Sequence, residues 1–431
     1  MAKYVYTIRP IEHGMAMDYP SLHIPETYSP LVYNSRITQH SVKKRWGYNT
    51  ADRSLGAPIY AIILYQTSDG SRYTLYLTDT DLCKRESGGT WSYLTQRYAT
   101  GNISSISGAT VTGSGTTWDA GMVGDYFILD VDHSSTSEPD TNWAKISAAS
   151  TTSLTLSASY TGTTGAFTPG KTYKIRQIYS VPSNERWAWT FADDKFVFTN
   201  GNVNTQYWNG NVAAAMGAAT DVNVTYAIKA RYCTSYAERL LLADVYSGGS
   251  RNPYLVLWSS NTDITAFDPG ANPTAGSKEF IETDDYLMGM ARIGPYISIY
   301  KRDNIVLGER TGTSTDPFLF SIIRPGIGCR APYSLIEATG TNCFLGKDDF
   351  YIMRGDYPES IGTNMRQKFY DWVPETEAQN TWGWYSLLEN EINWIARTTA
   401  GKMAFSWDYK HNEWTTYQFA HDITGAGSGA I

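Results

Sequence analysis

A hairpin-like pattern recurs about six times along the chain, and no other feature restricts the fold as much. The clearest copy is Pro295-Tyr-Ile-Ser-Ile-Tyr300, then Lys301-Arg-Asp-Asn304, then Ile305-Val-Leu-Gly-Glu309. A second is Asn342-Cys-Phe-Leu-Gly346, then Lys347-Asp-Asp349, then Phe350-Tyr-Ile-Met353. Others begin near Ile59, Lys195, Leu240 and Lys402. Each is an apolar run, a polar turn and a second apolar run, the pattern of an antiparallel hairpin. Successive copies lie roughly 45 to 60 residues apart, except for one wide gap after the first, and a β-propeller blade takes about 40 to 50 residues. The expected fold is therefore all-β: a β-propeller of six blades.

The wide gap has a compositional cause. From near Ala99 to about Arg176 the chain is dominated by Ser, Thr, Gly and Ala. It still alternates, at Thr110-Val-Thr112, Tyr126-Phe-Ile-Leu-Asp130, Trp143-Ala-Lys-Ile146, Ser153-Leu-Thr-Leu156 and Tyr173-Lys-Ile175. Five short strands so spaced suggest a small β-sandwich or barrel inserted into the propeller. Removing roughly 80 residues from the gap between Ile59 and Lys195 leaves about 56, close to one blade. The expected division is an irregular, proline-rich N-terminal arm at 1–58, a propeller at 59–98 and 178–431, and an inserted small β-domain at 99–177. Pro10, Pro20, Pro25, Pro30 and Pro58 punctuate the arm and resist continuous helix or central strand. Helix is nearly absent, with one turn expected from Glu375 to Gln379. The tail from Thr424 to Ile431 is small and flexible in composition, and reads as a free end or as a cut within a longer chain.

Composition bounds the function. Of the 431 residues 42% are apolar and 18% charged, enough for a large core and against global disorder. The 32 Tyr, 14 Trp and 14 Phe favour strands, because flat rings cover a pleated surface well. A formal charge of −7 makes a poor general binder of nucleic-acid backbone. Lys43-Lys-Arg45 is a short basic run, read as the lead into a strand at Trp46. Cys83, Cys233, Cys329 and Cys343 lack CxxC spacing, so buried, reduced thiols are expected rather than a metal or redox site. Met1-Ala-Lys-Tyr-Val-Tyr6 has no apolar core of a signal peptide. No apolar stretch approaches the roughly 20 residues that span a bilayer. Synthesis and folding in a cytoplasm are expected, with no membrane span.

Several motifs invite chemistry. Gly165-Ala-Phe-Thr-Pro-Gly-Lys-Thr172 matches the phosphate-loop pattern, but that loop works by opening a helix. Here Tyr173-Lys-Ile-Arg-Gln-Ile178 follows, which alternates like a strand, so a hairpin loop is expected. Acidic pairs fall at Asp193-Asp194, Asp284-Asp285 and Asp348-Asp349, with Asp79 and Asp81 close together. Facing carboxylates in a propeller channel would suit glycoside hydrolysis. At strand ends, however, Asp is ordinarily turn chemistry. Asp130, Asp132 and Asp140 lack EF-hand spacing. His13, His23, His40, His133, His411 and His421 are dispersed, without HExxH, and no GxSxG elbow is present. Trp187, Trp189, Trp208, Trp382, Trp384 and Tyr385 would line a sugar-binding groove or, as the favoured reading, pack between blades. No catalytic, cofactor-binding or metal-binding residue is assigned, and no cofactor is expected.

Three segments resemble the head-completion and tail-hub β-propeller proteins of short-tailed bacteriophages, the "stabilisation" or "nozzle" proteins. They are Gly289-Met-Ala-Arg-Ile-Gly-Pro-Tyr-Ile-Ser-Ile-Tyr300, Arg324-Pro-Gly-Ile-Gly-Cys-Arg-Ala-Pro-Tyr-Ser334, and Asp349-Phe-Tyr-Ile-Met-Arg-Gly-Asp-Tyr-Pro-Glu-Ser-Ile-Gly362. The opening is similar too, with Pro30, Asn34 and Lys44-Arg-Trp-Gly47. Thr112-Gly-Ser-Gly-Thr-Thr-Trp118 and Ser153-Leu-Thr-Leu-Ser157 resemble small β-domains of phage tail proteins. The resemblance implies a virion structural protein without enzymatic activity. It implies a homohexameric ring in the neck or tail, contacts to portal or adaptor and other tail proteins, and DNA passing along the lumen without sequence-specific binding. The competing expectation is a carbohydrate-binding or carbohydrate-active propeller in host recognition.

Overall fold

The computed structural model describes residues 15–16, 24, 28–29, 31, 34–38, 41–44, 57–86, 91–133, 142–210, 220–221, 228–247, 250–313, 315–419 and 423–426. Six antiparallel sheets of four strands follow one another, each with its strands in chain order. Blade 1 runs from Ile59–Gln66 out to Trp91–Tyr93, and blade 2 from Ala188–Ala192 to Thr220–Asp221. Blade 3 runs from Lys229–Tyr236 to Gly276–Glu279, and blade 4 from Leu287–Ile293 to Phe318–Pro325. Blade 5 runs from Ile336–Ala338 to Tyr357–Ser360, and blade 6 from Trp382–Ser386 to Glu413–Tyr417. This is the six-bladed β-propeller that the period implied.

The recurring hairpin does not occupy the same place in every blade. In blades 2 to 5 it is the second and third strands, as in Tyr296–Lys301 with Asn304–Arg310. In blade 1 it is the first two strands, and in blade 6 the last two. The turns explain the tight pairings. Asp193 and Asp194 have φ of 46° and 53°, and Ala237 and Glu238 have 54° and 61°. Two successive left-handed residues match the twist of the strands they join.

Alternate side chains of blades 1 to 5 pack against the next blade. Ile63, Tyr65 and Leu75 of blade 1 meet Phe196, Phe198 and Trp208 of blade 2. Tyr300 of blade 4 meets Phe344 and Met353 of blade 5. Between blades 5 and 6, Phe350 packs among the buried Trp394, Trp407 and Trp414. The Trp394 and Trp414 indole N–H groups donate to the carbonyls of Ser334 at 3.0 Å and Ile361 at 2.8 Å, so burial leaves neither unpaired.

Blades 6 and 1 are joined differently. Among the described residues their apolar clusters remain separate; the C-terminal segment bridges them, and the N-terminal segment packs on blades 5 and 6. Near the N-terminus, the Asn34 N–H donates to the Thr416 carbonyl at 2.9 Å, on the outer strand of blade 6. Arg36 donates to Glu391 at 2.9 Å and to Glu389 at 3.2 Å. Met15 lies buried in the cluster between blades 5 and 6. A short hairpin, Ser35–Thr38 with Ser41–Lys44, thus stands within the segment expected to be irregular. At the other end, Ala426 pairs in parallel with Ala61, and the Thr424 hydroxyl donates to the Ile59 carbonyl at 2.9 Å.

One further sheet of eight strands spans Gln96–Tyr98 to Tyr173–Arg176, inserted after blade 1. It curls as a half-barrel around Ile103, Val111, Trp118, Phe127, Leu154 and Tyr173. The Trp118 indole donates to the Tyr173 hydroxyl at 2.8 Å. All five segments expected to be strands here fall in or against strands. Gln96–Tyr98, Asn102–Ser107 and Gly165–Lys171 are additional. Helix is confined, among the described residues, to α1 (Arg366–Trp372), α2 (Glu375–Ala378) and short 3-10 turns. The expected turn at Glu375 is α2. The longer α1 was not expected.

Candidate functional site

The first strands of all six blades surround a central channel of about 610 Å³. Its wall is uneven. Blades 1 and 2 contribute Ile62, Leu64, Trp189 and Phe191, each between 39% and 41% exposed. Trp384 of blade 6 continues this apolar side, with Trp382 buried behind it at a ring distance of 5.5 Å. The other side carries Thr234 of blade 3, Arg292 of blade 4 and Glu337 of blade 5. Arg292 and Glu337 face each other at 3.7 Å, both exposed.

The alternation of the strands produces this wall. In Ile59–Gln66 the odd residues Ala61, Ile63 and Tyr65 are buried towards blade 2, which leaves Ile62 and Leu64 exposed on the other face. In Ala188–Ala192 the exposed positions are Trp189 and Phe191. Phe191 is fixed by Tyr65, whose ring stacks on it at 5.3 Å and 9°.

A charged network lies at the channel edge. The Tyr333 hydroxyl donates to Glu185 at 2.6 Å, and Glu185 pairs with Arg231. Arg231 also reaches the fully buried Asp244 at 3.3 Å, and Arg251 grips Asp244 with two bonds of 2.7 and 2.5 Å. Burial, then the Glu185 charge, raise the Tyr333 hydroxyl well above its ordinary range, so it stays protonated and donating. Arg186 is built differently. Its guanidinium stacks on Trp382 at 4.0 Å and Tyr60 at 5.1 Å, and donates to the carbonyls of Tyr60 and Thr424. Burial pulls it down to about 10, which still leaves it charged at neutral pH.

The acidic residues singled out in the sequence do not converge on the channel. Asp81 forms a buried pair with Arg176 at 3.1 Å, joining blade 1 to the inserted sheet. Asp194 receives the Ser68 N–H and hydroxyl, each at 2.8 Å, and so clasps the turns of blades 1 and 2. Asp285 pairs with the buried Lys301 at 3.0 Å. Burial raises its carboxyl, but bonds from Thr283, Asp303, Lys301 and Asn304 hold it below the ordinary range. Asp349 accepts from Arg366 at 3.0 Å and from Ser360. These carboxylates act as structural ties, more specific than simple turn solvation. Asp132 accepts from Tyr160 at 2.9 Å and Thr163 at 2.6 Å, while Asp130 stands 3.7 Å from Lys174. Among the described residues no group of three or more His, Cys, Asp or Glu side chains is placed to hold a metal.

Gly165–Lys171 is a strand, and Tyr173–Arg176 follows as another; no helix opens after Lys171. The four cysteines are buried and unpaired with one another, and burial raises the Cys329 and Cys343 thiols to about 12. His411 contacts Asp408 at 2.9 Å. His13, His23, His40, His421, Asp140, Arg45 and Trp46 lie outside the described residues. Of the six aromatics singled out, Trp187 and Trp208 pack between blades 1 and 2. Trp189, Trp382, Trp384 and Tyr385 stand at the channel. Sequence reasoning passed over Ile62, Leu64, Phe191, Arg186, Arg292 and Glu337. The unbroken apolar run Tyr60-Ala-Ile-Ile-Leu-Tyr65 was a signal, since it makes both faces of one strand apolar.

No family model matches the chain, and no curated protein matches its sequence. Similar solved structures include Kluyveromyces lactis Hsv2, at 9% identity over 85% of this chain and 99% of that chain, with a TM-score of 0.32. PorZ, a surface component of the type-IX secretion system of Porphyromonas gingivalis, is 10% identical over 86% and 40%, with a TM-score of 0.29. The endosialidase of phage phi92 is 13% identical over 83% and 55%, with a TM-score of 0.23. Likeness this low says nothing of shared activity.

Proposed function

We propose that the chain is a structural protein of a bacteriophage virion, one subunit of a ring in the neck or tail through which DNA passes. The observation that carries this reading is the outer edge of blade 4. Phe318–Pro325 has eight residues, against two to five in the outer strands of the other blades. Its Leu319 is 58% exposed and its Ile322 42%. Among the described residues no strand pairs with its free side. A long, apolar, unpaired edge is a liability in an isolated protein, and a natural contact in an assembly. The last blade, by contrast, has its outer strand covered by Asn34.

Two further features support assembly. The inserted sheet is anchored rigidly through Asp81 and Arg176, which suits a contact module carried beside a frame. The three longest segments that resemble phage propellers, 289–300, 324–334 and 349–362, fall in blades 4 and 5, around this same edge. The ring has six copies, by the resemblance, with one heterologous interface repeated around its axis. Portal or adaptor proteins are its neighbours, and the excess negative charge lets DNA slide rather than adhere.

Leu319→Asp with Ile322→Lys tests the reading. Both side chains are exposed, so the variant should fold as a monomer yet fail to enter particles. Normal incorporation of the folded variant would remove the edge as the ring contact. This test is cleaner than removing the N-terminal arm, because buried Met15 and the Arg36 ion pairs also hold blades 5 and 6.

A further inference from the structure

We propose that the central channel is a carbohydrate-binding site, in which a pyranose ring stacks on Trp189 and its hydroxyls reach Arg292 and Glu337. The proposal stands on the channel alone and does not depend on the virion reading.

The lining divides by chemistry across its width. One wall is apolar and contiguous, built by Ile62, Leu64, Trp189 and Phe191 on the neighbouring first strands of blades 1 and 2. Apolar groups gathered in a concave wall and left in contact with water mark a binding surface more than scattered exposed ones do. Trp189 and Phe191 stand at a ring distance of 5.6 Å and an angle of 66°, so together they form a corner of which about two fifths is exposed. Tyr65 holds Phe191 from behind, and the corner is fixed before a ligand arrives. A preformed platform limits the entropy lost on binding.

The opposite wall presents one exposed ion pair among largely buried residues. Arg292 and Glu337 are 3.7 Å apart, 54% and 42% exposed. An ion pair this loose and wet contributes little to the fold, so its groups are free to take other hydrogen-bond partners. Arginine offers donors and glutamate acceptors, the two halves of what a hydroxyl uses.

These features select one ligand class. A phosphate or nucleotide would need cationic donors free to turn to it: Glu337 offsets Arg292, and Arg186, the other cation of the lining, is buried against Trp382 and Tyr60 with its donors given to the Tyr60 and Thr424 carbonyls. A fatty chain or apolar peptide would desolvate Arg292 and Glu337 without giving them new partners, which is costly. A pyranose has an apolar C–H face for the aromatic wall and hydroxyl edges for the polar one. The channel volume of about 610 Å³ suits a short saccharide.

The test uses the full chain and follows tryptophan emission, since Trp189 and Trp384 lie in the wall. Maltotriose, cellotriose and tri-N-acetylchitotriose are the probes, with 8-anilinonaphthalene-1-sulfonate as an apolar control. At least one saccharide should shift the emission with a dissociation constant between about 10 μM and 1 mM. Trp189→Ala should weaken that binding about tenfold or more, and Arg292→Ala by a similar factor. Both residues are exposed, so circular dichroism and the melting midpoint should stay native. Should Trp189→Ala fail to fold, Glu337→Gln supplies the second variant and should weaken binding several-fold. The proposal is overturned by no response to any saccharide at about 10 mM, by undiminished saccharide binding in the variants, or by binding of the apolar probe alone.

Discussion

The guanidinium of Arg186, at the entry to blade 2, stacks 4.0 Å from the ring of Trp382, on the first strand of blade 6. The same group donates to carbonyls of Tyr60 in blade 1 and Thr424 in the C-terminal segment. One side chain therefore ties the first blades, the last blade and the tail across the seam where their apolar clusters stay apart. Ring closure here is a matter of polar bonds and cation–π contact more than of packing.

Arg186→Met keeps the volume and removes the charge and its donors. Two carbonyl bonds and a partly desolvated cation–π contact should together contribute about 1–3 kcal/mol. Chemical unfolding should read this loss. Combination with Trp382→Leu should cost less than the sum of the two single changes, because both remove the same contact.

Asp81 and Arg176 form a buried pair, with Arg176 sandwiched at 4.0 Å between Tyr93 and Trp143. Burial raises the Asp81 carboxyl, and the Arg176 charge opposes that rise. Asp81→Asn or Arg176→Met alone should cost about 3–5 kcal/mol, since each strands the other partner. The double change Asp81→Leu with Arg176→Met should recover most of the loss. Equal damage from single and double changes would show that the pair is not the joint.

The Gln177 N–H donates to the Thr95 carbonyl at 3.0 Å, so the two strands of the joint lie side by side. Deleting 96–177 with a short glycine linker and Asp81→Asn should leave a soluble six-bladed propeller. Circular dichroism and a cooperative melt check it. Insoluble product from this variant would mean that the inserted sheet and blade 1 fold as one unit.

Glu413 is buried at the start of the outer strand of blade 6, and burial raises its carboxyl to about 7. His411 opposes the rise and Asp408 adds to it. The folded state thus keeps this proton between pH about 4.5 and about 7, where the unfolded chain has released it. Stability falls as pH rises through that window, and the full cost stands above it. Glu413→Gln should stabilise the protein by about 1–3 kcal/mol at pH 8 and leave it unchanged at pH 4. Denaturation curves at the two pH values decide.

The propeller was legible because its hairpins bury alternate residues on both faces. Pro295 to Glu309 shows this without ambiguity, since Ile297, Ile299 and Val306 pack towards blade 3, and Tyr300 and Ile305 towards blade 5. Lys229–Tyr236 was not legible as a first strand, because Lys, Arg, Thr and Ser interrupt its apolar residues. Helix α1 escaped notice because Phe369 is its one buried residue. The channel was legible only in part. Its tryptophans stood out, but which of them are open depends on the blade opposite. Trp187 and Trp189 are two residues apart in one chain segment, yet one is core and the other wall. Arg186 gave no signal, because its partners Trp382 and Thr424 are remote in sequence.

The proposed assembly into a virion ring is tested most directly by the copy number of the chain in purified particles of a phage that encodes it. Quantitative peptide mass spectrometry, with averaged images of the neck and tail, should find about six copies per particle in one ring. Leu319→Asp with Ile322→Lys should lower that number towards zero while the free protein remains folded. Absence of the native chain from particles would contradict the account.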